Sequence, residues 1–216
     1  MKAVWFNDKH SYFDFNLVLK SKEIPLPEAK TYLVDVPCAD GQLDLSTALT
    51  GGKIKYKNRQ IKMIFTSMAS WNQLEQIKSI IANYLHGKVM KVIFDSDNEF
   101  FYEGRCSIVS FKTDVYPAEL EVDVDAEPYK YKLDKTKKSF HVSGSKTLTI
   151  ENQKMDTIPV INVSADMTLT YKSRQYSLTA GDNVIVDIVL SNKSSDNTLV
   201  FNGTGDVVIS YQEGEL

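Results

Sequence analysis

Pro117-Ala118-Glu119-Leu120-Glu121-Val122-Asp123-Val124-Asp125-Ala126 decides the fold class. Ala118, Leu120, Val122, Val124 and Ala126 alternate strictly with Glu119, Glu121, Asp123 and Asp125, and a period of two puts one set on a core and the other in water. The segment reads as a half-buried strand with an acidic outer face, whose like charges repel along the strand rather than converge as an acid/base pair. Upstream, Ile61, Met63 and Phe65 share a strand face, and so do Met90, Val92 and Phe94. The second of these runs into Asp95-Ser96-Asp97-Asn98, residues that satisfy turn backbone locally, so a hairpin with a return strand from Phe100 to Phe111 is expected.

One segment breaks the alternation. Trp71, Leu74, Ile77, Ile81 and Leu85 recur at helical spacing, Ser70 with Gln73 fits a capping box, and Gly87 suits a left-handed terminator. The pattern predicts one long helix over 70–86, its apolar stripe laid on a sheet. Residues 1–130 therefore read as a β-sandwich carrying that helix.

From 131 to 140 lysines dominate and apolar residues are few, the composition of a solvated linker; with no arginine present, a phosphate-binding patch is the weaker reading. Residues 141–216 return to short β runs divided by Asn, Ser, Asp and Gly: Leu148 to Ile150, Ile158 to Val163, Met167 to Tyr171, Val184 to Leu190, Leu199 to Phe201 and Val207 to Tyr211. Such spacing predicts a second, small antiparallel sandwich. The fold class expected is thus mainly β, in two sandwich domains.

Composition removes several functions. Lys+Arg 25 against Asp+Glu 28 leaves a formal charge of -3, so no basic field exists to attract nucleic acid. Residues Met1 to Asp8 develop no signal-peptide core, and no uncharged run reaches the roughly 18 residues of a membrane span. Cys38 and Cys106 lack CxxC spacing and read as small core thiols in a reducing cytosol. His10, His86 and His141 are scattered, form no HExxH pair or Cys/His cluster, and read as surface or boundary residues.

The loop at Asp95 departs from a calcium loop, with Phe100 and Cys106 where glycine and glutamate belong. Gly51-Gly52-Lys53 is followed by Ile54 and reads as a tight turn rather than a phosphate loop; Gly203-Thr204-Gly205 lacks the third glycine of a dinucleotide site. The triplets at Asn162, Asn192 and Asn202 match the glycosylation pattern by chance. No catalytic residue, cofactor or metal is expected, and the protein reads as non-enzymatic. Tyr171, Tyr176, Phe201 and Tyr211 are the sugar-stacking candidates of the second domain, with core packing the better account of them.

Three stretches, in order, resemble the distal tail protein (Dit) family of siphophages. The first is Asp40 to Gly51 with Tyr56-Lys57-Asn58-Arg59 and the strand Ile61 to Phe65. The second is Leu85-His86-Gly87-Lys88, then Lys91 to Asp97, then Tyr102-Glu103-Gly104-Arg105; the third is Val122 to Tyr131, holding Pro128-Tyr129-Lys130-Tyr131. The ending Ile209 to Leu216 resembles the close of the family's galectin-like C-terminal sandwich. The resemblance implies a virion component of a long-tailed phage, made in the bacterial host's cytoplasm. It would form a hexameric ring at the baseplate, joining the tail tube protein to a tail-associated lysin or receptor-binding proteins. A closed ring needs a heterologous contact on each subunit, placed here on Lys53, Tyr56 and Arg59 and on the hairpin residues Asp95, Asp97, Tyr102 and Arg105. The rival reading is a carbohydrate-binding module that contacts host glycans.

Overall fold

The computed structural model of the chain describes residues 2–216. The fold is mainly β. Its residues cluster into two compact units, one reaching Lys130 and the other running from Tyr131 to Glu215.

The first unit contains β1 (Val4–Phe6), β2 (Lys9–His10), α1 (Ser11–Phe15), β3 (Leu17–Glu23), β4 (Leu33–Asp35), β5 (Gln42–Asp44), β6 (Arg59–Ser67), α2 (Leu74–Leu85), β7 (Val89–Phe94), β8 (Phe100–Lys112) and β9 (Glu119–Ala126). An antiparallel sheet takes the order β2-β1-β7-β8-β9-β6-β3. It curls, because Leu19 N–H donates to Lys2 C=O at 2.9 Å and so brings β3 back to the chain ahead of β1.

Period two holds along β9. Leu120, Val122, Val124 and Ala126 are all 0% exposed, and the register sets Phe65, Met63 and Ile61 of β6 opposite the first three. Met90, Val92 and Phe94 of β7 enter the same core, which Ile81 and Leu85 of α2 cover. The acidic outer row does not simply repel. Lys20 donates to Glu119, Gln60 Nε2 donates to Asp123 at 3.3 Å and Ser110 Oγ to Glu121 at 3.4 Å. Strands β3, β6 and β8 supply the partners that β9 alone cannot, although exposed pairs of this kind contribute little to stability.

The helix start differs from expectation. Trp71–Gln73 form a 3-10 turn, so Gln73 is the cap of α2 rather than its third residue, and the Ser70 hydroxyl bonds the Gln73 side chain at 2.8 Å instead of backbone. Trp71 consequently leaves the stripe and stands 55% exposed beside Tyr116. Gly87 has the left-handed φ of +78°.

A five-residue helix, α1, is too short to show a period, and it captures a histidine expected at the surface. His10 is 4% exposed, and its Nδ1 accepts the Phe13 N–H at 3.3 Å as the helix cap.

The cysteines also divide. Cys106 is buried in the core of the first unit, and burial pushes its thiol up to about 12, whereas Cys38 is exposed at the turn between β4 and β5. Thiolate is the reactive form, so an aromatic disulfide reagent near pH 8 should modify one thiol per native chain and both after denaturation. Two fast-reacting thiols in the folded protein would contradict this burial.

The second unit contains β10 (Lys130–Lys132), β11 (Thr136–Thr149), β12 (Val160–Val163), β13 (Met167–Tyr171), β14 (Arg174–Leu178), β15 (Gly181–Val184), β16 (Thr198–Tyr211) and β17 (Gly214–Glu215). β16 is its spine. On one side it pairs with β11 from Thr136↔Tyr211 to Thr149↔Thr198; on the other its first part pairs with β13 and its last with β12.

Three expectations change here. The two strands expected at Leu199 and Val207 are one, because Gly203-Thr204-Gly205 do not turn but cross the Ser164–Met167 connection. A Cβ on Gly203 would lie 2.6 Å from Met167 Cβ, and one on Gly205 would lie 2.7 Å from Ser164 Oγ. The lysine-rich linker is, from Thr136 to Phe140, the start of β11; an edge strand with both faces near water needs no apolar alternation. The strand expected over Val184 to Leu190 stops at Val184, and Ile188 and Leu190 reach the core from irregular chain.

Candidate assembly interface

Between β3 and β6 the chain leaves the sheet as an arm. β4 and β5 pair with each other, Leu33↔Asp44 to Asp35↔Gln42, in a sheet of two strands. Its base is closed by Lys30 N–H to Lys55 C=O at 2.7 Å, Lys57 N–H to Glu28 C=O at 2.8 Å and the Lys57–Glu28 ion pair at 3.1 Å. The loop beyond β5 turns at Gly51 and Gly52, both with positive φ.

What distinguishes the arm is its apolar surface. Leu26 is 77% exposed, Tyr32 64%, Leu33 49%, Leu43 51% and Leu49 100%. A lone two-stranded hairpin is marginal in water, and exposed apolar groups gathered on one mark a binding surface. Leu33 and Leu43, flanking the turn at Pro37 to Gly41, were the available signal in the sequence. They were missed because such alternation looks the same whether the buried face lies in this chain or elsewhere.

The residues assigned to contacts from sequence fall into separate places. Arg59 is 4% exposed; it donates to the carbonyl of Pro128 and lies over the Tyr102 ring, 5.4 Å from its centroid. Burial lowers the Arg59 pKa and raises that of Tyr102, itself only 7% exposed. Asp97 joins them through Lys130, at 3.0 Å, and Tyr56 packs edge-on to Tyr129 at 6.0 Å. Arg59, Tyr102, Asp97 and Tyr56 therefore form a brace that fixes residues 128–130 to the base of the arm. Arg59 and Tyr102 are spent inside their own chain: an arginine at the start of a strand looks like a surface residue until its carbonyl partner, 69 positions away, is known.

The remaining three are nearer water. Asp95 faces His10 Nε2 at 3.4 Å, Arg105 is exposed and donates to the carbonyl of Gly87, and Lys53 is exposed on the arm. Of the sugar-stacking candidates in the second unit, Tyr171, Phe201 and Tyr211 are core residues; the first and last donate to the carbonyls of Val189 at 2.7 Å and Glu151 at 2.6 Å. Tyr176 is half-buried. Among the described residues no three His, Cys, Asp or Glu side chains gather as metal ligands.

The chemistry available in the first unit is therefore that of association through an uncovered apolar arm on a braced sheet. The same fold, over 100% of both chains and at a TM-score of 0.71 with 13% identity, is found in the crystal structure of Dit (gp 19.1) of phage SPP1. That protein is described as a paradigm of the hub adsorption apparatus in phages infecting Gram-positive hosts. A turret protein of Sulfolobus turreted icosahedral virus aligns at a TM-score of only 0.23, too low to bear on this chain. The sequence matches no family model and no curated protein.

Proposed function

We propose that this protein is a non-enzymatic subunit of the tail tip of a long-tailed bacteriophage, assembling with copies of itself into a hexameric ring. The ring joins the tail tube protein to the tail-associated lysin or receptor-binding apparatus, and the protein resides in the virion after assembly in the host cytoplasm. The supporting observation is the end-to-end likeness of its fold to the SPP1 hub protein. The apolar arm supports the same reading, since a closed ring buries a different surface at each end of every subunit boundary. The second unit, a galectin-like sandwich on this reading, serves as a docking platform.

Electron microscopy of the purified protein, with its mass measured by light scattering, tests the proposal. Six-fold rings with a central hole and a mass near six times 24.4 kDa are expected. A protein that remains monomeric at high concentration, and that is absent from purified tails, would overturn it.

A further inference from the structure

Building on the ring reading, we infer that the acidic, apolar arm of one copy seats in a lysine-rimmed groove on the first unit of the next copy. The groove exists because the margins of the curled sheet part. They are joined where Leu19 N–H meets Lys2 C=O; just beyond, β3 bulges at Lys20, its register shifting between Leu19 and Ser21. The resulting hollow is lined by Ala3 and Leu19, by Lys2, Lys20 and Lys22, and by Asp95. The Lys22 ammonium lies 4.1 Å over the Phe94 ring and donates to Ser96 Oγ at 2.9 Å. The Asp95 carboxylate turns toward His10, and Lys20 also reaches Glu119.

The arm is the counterpart in both respects. Its outer part, Thr31 to Gly52, carries Asp35, Asp40 and Asp44 and no lysine or arginine, whereas Lys30, Lys53, Lys55 and Lys57 lie toward its base. Tyr32, Leu33, Val36 and Leu43 stand among those carboxylates, and all four are exposed or nearly half so. β4 and β5 pair only with each other, so their own sheet offers no cover. The acidic outer part of the arm and a basic groove, each with apolar surface, are two unlike faces of one chain. Such faces close into a ring of head-to-tail contacts, whereas arm-to-arm or groove-to-groove pairing would set like charges together.

A charge swap tests the assignment. In one variant the groove is reversed, Lys2→Glu with Lys22→Glu; in the other the arm is reversed, Asp35→Lys with Asp40→Lys and Asp44→Lys. Each alone is expected to assemble about ten-fold more weakly or worse than the unaltered protein, the cost of facing like charges across an interface. Mixed in equal amounts they should regain the unaltered mass in strictly alternating rings, because each arm then meets a groove of opposite sign. A chain bearing all five changes should assemble by itself.

Native mass spectrometry of the mixture distinguishes the outcomes. Either variant assembling unimpaired, or a mixture that stays dissociated while the five-change chain also fails, would overturn the arm-to-groove contact and leave the ring reading standing. If the unaltered protein never forms an oligomer, the ring reading and this contact fail together. Tryptophan emission of each variant verifies that the first unit, which holds both tryptophans, Trp5 and Trp71, is folded.

Discussion

Gly104→Ala is expected to destabilise the first unit by roughly 3 kcal/mol, the upper part of the range for forcing an extra methyl group into a packed interior. Gly104 lies on β8 opposite Ala126 of β9. A Cβ there would sit 2.5 Å from the Asp125 carbonyl oxygen, 2.6 Å from Ala126 Cα and 2.8 Å from Val124 Cγ1. The first two are backbone atoms of a strand held on both sides, by β8 and by β6, so they cannot yield without breaking a ladder. Gly87 supplies the contrast: its φ is +78° but a Cβ there meets nothing within 4 Å. Gly87→Ala should therefore cost only about 1 kcal/mol, from backbone strain alone. Guanidinium unfolding followed by tryptophan emission reads both. Near-equal midpoints for the two variants would show that β9 can move away from β8, contrary to this account.

The contrast bears on how much of the fold could be read from the chain. Gly104 stands in the stretch Tyr102-Glu103-Gly104-Arg105 that resembles the distal tail family, and nothing local to that stretch says why glycine is there. Only the approach of Asp125 and Ala126, more than twenty positions later, supplies the reason. By contrast the strand at Leu120 to Ala126 and the helix stripe at Leu74, Ile81 and Leu85 were legible, because their burial follows from periodicity along a single element. Trp71 shares the spacing of that stripe yet lies outside it, since a 3-10 turn rotates it away from the face that α2 buries. Gly203 and Gly205, inside what the sequence divides into two strands, have the same kind of reason as Gly104. Glycine punctuates turns in sequence, but here it makes room for a crossing chain.

The candidate interface was less legible than the fold. Asp97, Tyr102 and Arg59 do come together, yet as a brace around residues 128–130 rather than an outward surface. Charged and aromatic residues in a hairpin have the same sequence signature whether their partner is internal or external. Only burial separates the two, as the 4% exposure of Arg59 shows. The arm posed the converse difficulty: Leu33 and Leu43 carry the pattern of core residues and are exposed. If, as inferred above, another copy covers them, no pattern within one chain can reveal it.

Asn197→Ala should cost the second unit about 3 kcal/mol or more. Asn197 is 0% exposed and uses the whole of its side-chain amide. Its Oδ1 accepts the Ser191 N–H at 2.8 Å, and its Nδ2 donates to the carbonyls of Ile150 at 2.9 Å and Ser191 at 2.7 Å. Truncation leaves those three backbone groups in a site where Ile150 is 1% and Ser191 4% exposed, so water does not replace the amide without opening the structure. Each stranded group costs about 1 to 3 kcal/mol, which outweighs the single side chain removed. The loss should also be local to the stitch between the end of β11 and the start of β16, because Asn197 joins them through its backbone as well, its carbonyl accepting the Ile150 N–H at 3.2 Å. Hydrogen exchange of β11 and β16 amides is the direct measurement. Asn197→Asp, which keeps an acceptor but loses both donors and brings a charge into the site, should be at least as damaging as alanine. Retained protection of Leu199 and Phe201 in either variant would mean that the loop at Ser191 satisfies its own backbone, and that the amide at position 197 is dispensable to the second unit.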